Sequence, residues 1–139
     1  MGKSVRDVMS ADPRAVDAGK PVAEAAQMMK NEDVGLTPVV EGDKLVGTLT
    51  DRDIAVRVVA EGRDPGSTSV GDVASKNVVT VTPQQDLDDA LSLMAQHQIR
   101  RLPVVEEGGR LVGVVAQADV AMSADHSETG EMVKRISQT

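Results

Sequence analysis

In the segment GTLTDRDIAV, 47–56, Thr50, Asp51 and Asp53 are of types that bind or react. An ionised aspartate offers several lone-pair sites and no donor. Two vicinal hydroxyls, as on a ribose, are matching partners, and each such charge-assisted hydrogen bond contributes roughly 1.5–3 kcal/mol. Thr50 places a hydroxyl three residues before Asp53, so both side chains are able to face one point where a strand gives way to a helix. A helix N-terminus favours an anion nearby. A plainer reading stands beside this one. Thr50 as an N-cap, with Asp51 and Asp53 complementing the dipole, is a common way to begin a helix. Spacing does not separate the two roles, and they are compatible.

The segment is written a second time. GVVAQADVAM, from Gly113, has Ala116 for Thr50 and Gln117 for Asp51, while Asp119 keeps the place of Asp53. Alanine cannot hydrogen-bond through its side chain, so the second copy is expected to be degenerate. The duplication runs through the chain. Val5-Arg6-Asp7-Val8 returns as Val70-Gly71-Asp72-Val73, and Pro38-Val39-Val40 as Pro103-Val104-Val105. Beyond the turn, EEGGR carries one residue more than EGDK, and Leu45-Val46-Gly47 matches Leu111-Val112-Gly113 with that slip. Indels belong in turns.

Each copy predicts the same elements. A short helix (SVRDVM, SVGDVA) has Ser4 or Ser69 as a candidate N-cap. A short strand follows, around Arg14–Val16 and Val78–Val81. Amphipathic helices then start at Pro21 and Pro83, with Thr82 as N-cap of the second. Two strands come next, through TPVV or LPVV and KLVGTLT or RLVGVVA, joined by Gly-bearing turns. A last helix starts near Asp51 or Gln117. The fold class is α+β: two βαββα halves, each too small to stand alone, packed sheet to sheet with pseudo-twofold symmetry. The expected boundaries are 1–62 for the first motif, 63–69 for a Gly/Pro/Ser linker, 70–124 for the second motif and 125–139 for a tail.

Composition narrows the function. The 139-residue chain has no Phe, Tyr, Trp or Cys, and its formal net charge is -7. An aromatic stacking platform for nucleic acid is impossible, and the charge opposes both nucleic acid and anionic membrane surfaces. Disulfides, thiolate metal sites and cysteine nucleophiles are excluded. No apolar run reaches the ~18 residues of a membrane span, and no secretory signal is read at the start, so a cytoplasmic protein is expected.

The repeated LPVV-type strand, the LVG strand and the G-h-h-T-x-x-D segment together resemble a CBS-domain pair, or Bateman module, over about residues 5–122. The chain is most similar to the small stand-alone CBS-pair proteins of bacteria. That resemblance implies a regulatory module that binds AMP, ADP, ATP or S-adenosylmethionine in the cleft between the motifs and signals to a partner protein. No cofactor is required, and Mg²⁺ stays open as a companion ion. It assigns the ribose to Thr50 and Asp53, and the base to Val16, Val34 and Pro38, for which plain core packing is the alternative. It assigns phosphate to Arg100 and Arg101, which otherwise are solvated or paired with surface acids. Lys76, Arg52 and Arg57 are further sources of positive potential. Ala116 and Asp119 mark the degenerate second site. CBS pairs commonly form flat dimers through their helices, so a homodimer is implied.

Two other readings compete. One is a scaffold that has lost nucleotide binding. The other is a small hydrolase using Asp51, Asp53 and His97, for which no nucleophile–base–orienter set is visible, so no enzyme is expected. His97 suits a helix C-terminus, and His126 lies in the polar tail, so no metal constellation is read. Met28, Met29 and Met94 read as core, and the tail HSETGEMVKRISQT as a short helix.

Overall fold

The computed structural model describes residues 3–122. The tail and His126 lie outside them. The described chain forms α1 (Val5–Val8), β1 (Ser10–Ala11), β2 (Val16–Asp17), α2 (Val22–Glu32), β3 (Leu36–Glu41), β4 (Lys44–Thr50), α3 (Asp51–Ile54), α4 (Val70–Val73), α5 (Leu87–His97), β5 (Arg101–Val105), β6 (Leu111–Ala116) and α6 (Gln117–Ala121). No helix among the described residues is long and apolar enough to cross a membrane.

The chain divides into two compact units. One is Arg14–Val78; the other takes its described residues from 3–13 and 79–122. The unit boundaries therefore cut across the repeats. The head of the second copy, through α4 and Val78, folds with the body of the first, and the first copy's head, through α1 and β1, folds with the body of the second.

Hydrogen bonds show how firmly each head is held. In Arg14–Val78, the Val70 and Gly71 amides donate to the carbonyls of Lys20 and Ala18, both at 2.8 Å. In the other unit, Val5 N–H donates to the Gln85 carbonyl at 2.8 Å and Leu87 N–H to the Lys3 carbonyl at 3.0 Å.

Both units are sheets covered by helices. β2 runs parallel to β3, pairing Val16 with Val39, and β3 and β4 form an antiparallel hairpin. Ser75 adds a further antiparallel bridge, on Thr48. The second unit repeats this: β5 and β6 form the hairpin, β1 pairs antiparallel with β6, and Val81 bridges Val104 in parallel. The expected strand near residues 78–81 is thus a single bridge.

Small and branched side chains fill both cores. Val16, Val22, Ala25, Met29, Val39, Leu49 and Val58 are buried with Val70, Val73 and Ala74 of the head. In the other unit, Val5 of the head is buried with Leu91, Met94, Leu102, Val104, Val115 and Val120. With no aromatic ring available, many contacts of modest size replace a few large ones.

One helix start differs from expectation. α5 begins at Leu87 with Asp86 in the N-cap position, not at Pro83 behind Thr82. Residues 82–85 form a turn in which Thr82 N–H donates to Gln85 Oε1 at 2.8 Å. Proline at a first helical position is only permissive. The register of the repeat, which sets Asp86 against Pro21 and Leu87 against Val22, decides the boundary.

Candidate functional site

Thr50 and Asp53 do meet, through a reciprocal cap. Thr50 Oγ1 accepts from the Asp53 amide, and Asp53 Oδ2 accepts from the Thr50 amide, both at 3.0 Å. This satisfies two donors that the start of α3 would otherwise leave open. Asp53 is only 8% exposed although its side chain is a carboxyl group. Burial of that kind requires polar or charged partners, and two more are present.

The first is Ser75. Its hydroxyl lies 3.2 Å from Asp53 Oδ1 and 3.3 Å from Oδ2. The second is Arg57, whose Nε stands at ion-pair distance, 3.9 Å from Oδ1, and whose Nη1 donates to the Val73 carbonyl at 3.2 Å. Arg57 sits in a π-helical turn, Ala55–Val59, that continues α3. The bond from the Ala60 amide to the Ala55 carbonyl, 2.9 Å, closes that wider turn. Sequence reading offered Arg57 as one of three loose cations; the fold joins it to the carboxylate. It missed Ser75, which stands 22 residues away in the other copy's head.

Gly47 brings Ser75 there. A Cβ on Gly47 would lie 2.7 Å from the Ser75 carbonyl oxygen. The bare backbone lets Thr48 and Ser75 exchange amide bonds of 2.8 and 3.0 Å. Gly113 does the same for Ser10, whose carbonyl oxygen would lie 2.9 Å from an added Cβ.

The other expected site residues fall in different settings. Val16 is 6% exposed within the core of its unit, and Pro38 is buried in β3. Val34 is half-buried and lines an open groove of about 420 Å³ with Met29, Lys30, Gly35, Asp51 and Ile54. Thr50 and Asp53 do not line that groove. Arg57 lines a second depression, of about 530 Å³, with Glu61, Arg63, Asp72 and Val73. Arg100 and Arg101 are exposed at the start of β5, in the unit built on residues 79–122, and form no ion pair among the described residues.

The second copy lacks the cap. Ala116 precedes α6 with no side-chain bond, and Asp119 is exposed. Gln117, in the place of Asp51, has a buried Nε2 without a hydrogen-bond partner among the described residues. Among the described residues no group of three or more His, Cys, Asp or Glu is placed to hold a metal ion. His97 is exposed in the last turn of α5.

Two duplicated α+β units, with a threonine–aspartate cap at one strand-to-helix junction and its eroded copy at the other, define a tandem CBS protein. The sequence profile of the CBS domain matches residues 5–60 and 70–125, so this chain belongs to the CBS domain family. It is 47% identical over 135 residues to the CBS domain-containing protein YhcV of Bacillus subtilis, covering 96% of this chain and 95% of that one. Solved structures agree. The crystal structure of Hypoxic Response Protein I with two coordinated zinc ions superposes with a TM-score of 0.80 at 36% identity, over 88% of this chain and 100% of that one. CBSX2 in complex with AMP gives 0.76 at 25% identity, over 87% and 95%. The CBS domain pair of MJ0100, in complex with 5′-methylthioadenosine and S-adenosyl-L-methionine, gives 0.75 at 26%, over 88% and 95%.

Proposed function

We propose that this protein is a regulatory module that senses an adenosine-containing molecule and signals to a separate protein. The observation that carries the reading is the buried Asp53 carboxylate at the Thr50 cap, in a chain similar to CBS pairs solved with AMP and with S-adenosylmethionine. Asp53 and Thr50 hold the ribose. Val34 and Pro38 contribute apolar wall to the base. Val16 acts from beneath, since its burial makes it core before it is pocket. Arg100 and Arg101, exposed and without ion-pair partners among the described residues, are the proposed phosphate cations. The degenerate copy, with Ala116 and Asp119, contributes shape rather than affinity.

The module works by binding, not by turnover. It acts as a homodimer upon a protein partner, and a ligand moves that partner only as far as it prefers one conformation of the module. A second reading, a scaffold without a ligand, is favoured by one fact: both oxygens of Asp53 already have partners within the protein.

Titration calorimetry with AMP, ATP and S-adenosylmethionine decides between them, with and without Mg²⁺ for the triphosphate. The expected result is binding of at least one, weakened about 10- to 100-fold by Asp53→Ala and also weakened by removal of the ligand's 2′-hydroxyl. Silence with all three ligands leaves the scaffold reading in possession.

A further inference from the structure

We propose that the Ser75 hydroxyl is a built-in competitor for the diol position on Asp53, so that an adenosine ligand must take the carboxylate from it. The inference rests on the ribose reading above and adds a residue to the site. Its basis is the near-equal reach of Ser75 Oγ to the two carboxylate oxygens, 3.2 and 3.3 Å. A group equidistant from both oxygens lies on the side of the carboxylate that faces a bidentate partner. A hydroxyl has one proton to share between two acceptors, whereas a vicinal diol brings two. The remaining side of Oδ2 is taken by the Thr50 amide at 3.0 Å, and Arg57 stands 3.9 Å from Oδ1. With Asp53 8% exposed, the face held by Ser75 is where a diol would have to enter.

The contact is not an automatic product of the repeat. Ser10 is the counterpart of Ser75 and pairs through its backbone with β6 in the same manner. Asp119 is nevertheless exposed, and no hydrogen bond joins it to Ser10 among the described residues. Backbone bonds to Thr48 and the close approach at Gly47 hold Ser75 in place, independently of its hydroxyl. Removing the hydroxyl therefore frees Asp53 without moving the segment.

Ser75→Ala tests this by giving two readouts of opposite sign. Thermal stability falls by a few degrees as a hydrogen bond is lost. Affinity for the adenosine ribonucleotide bound by the wild type rises about three- to tenfold, and the gain disappears with the 2′-deoxy ligand. Ser75→Thr, which keeps the hydroxyl, stays near the wild type in both. A residue that merely supports Asp53 would lower stability and affinity together, so weaker or unchanged binding by a folded Ser75→Ala protein overturns the competitor role and leaves the ribose reading intact. A wild type that binds none of the ligands removes the ribose reading, and this inference goes with it.

Discussion

The last helix of each copy starts from a strand of the same pattern, and the two starts behave differently. At the first, Thr50 and Asp53 close a reciprocal cap and the carboxylate is buried against Ser75 and Arg57. At the second, Ala116 leaves the cap unmade and Asp119 turns outward. The loss of the Thr50 hydroxyl is the difference that bears on the cap, and the consequence reaches beyond it. Once Asp53 is held by the Thr50 amide, its second oxygen is available to a serine from the far side of the linker. An aspartate without a cap has no such fixed direction. The pair shows how, after duplication, the loss of one cap goes with the exposure of the aspartate three residues on.

The largest break in this comparison comes from removing each aspartate in turn. Asp53→Ala is expected to cost about 1–3 kcal/mol of unfolding free energy, because Thr50 N–H and Ser75 lose their acceptor. Asp119→Ala, at an exposed position, stays within about 0.5 kcal/mol. Urea denaturation measures both, and equal losses would abolish the asymmetry. Next in size is an exchange of caps. Thr50→Ala should cost about 1 kcal/mol, while Ala116→Thr should return about 0.5–1 kcal/mol by rebuilding the box with Asp119. A destabilised Ala116→Thr protein would mean that the second junction differs by more than its cap.

The smallest effect sharpens the comparison at the hairpins. In the longer EEGGR turn, a hydrogen bond from Arg110 holds the Glu106 carboxyl below its ordinary value, with Arg6 3.7 Å away adding a smaller pull. A depressed folded-state pKa contributes stability that is present above the ordinary value of 4.5 and is lost as pH falls below it through the folded-state pKa. Glu41, at the shorter turn, forms no ion pair among the described residues. Arg110→Ala should raise the Glu106 titration toward its ordinary value, read by carbon-detected NMR.

Much of this was legible in the residues. The repeat, the hairpins and the helices follow from period and turn chemistry, and the Thr50–Asp53 cap is a local pattern three residues long. The start of α5 was misplaced by a rule that fits Pro21 and Pro83 alike; aligning Asp86 with Pro21 would have corrected it. Ser75 was hidden for another reason. Its partner is 22 residues distant and in the other copy, and nothing in its own neighbours marks it. The duplication is legible while the trading of heads is not, because periodicity reports what a segment is like and says nothing of which body it joins.

That trade bears on descent. A half-length forerunner carrying one repeat would own a leading helix and strand that its own body does not receive, since in the present chain Val5 is buried beside Leu91 and Val70 beside Val22. Such a peptide would mature by lending that segment to a twin and borrowing the twin's in return. Fusion of two such genes would turn an encounter between molecules into a fold within one, and would free each half to mutate without its sister's consent.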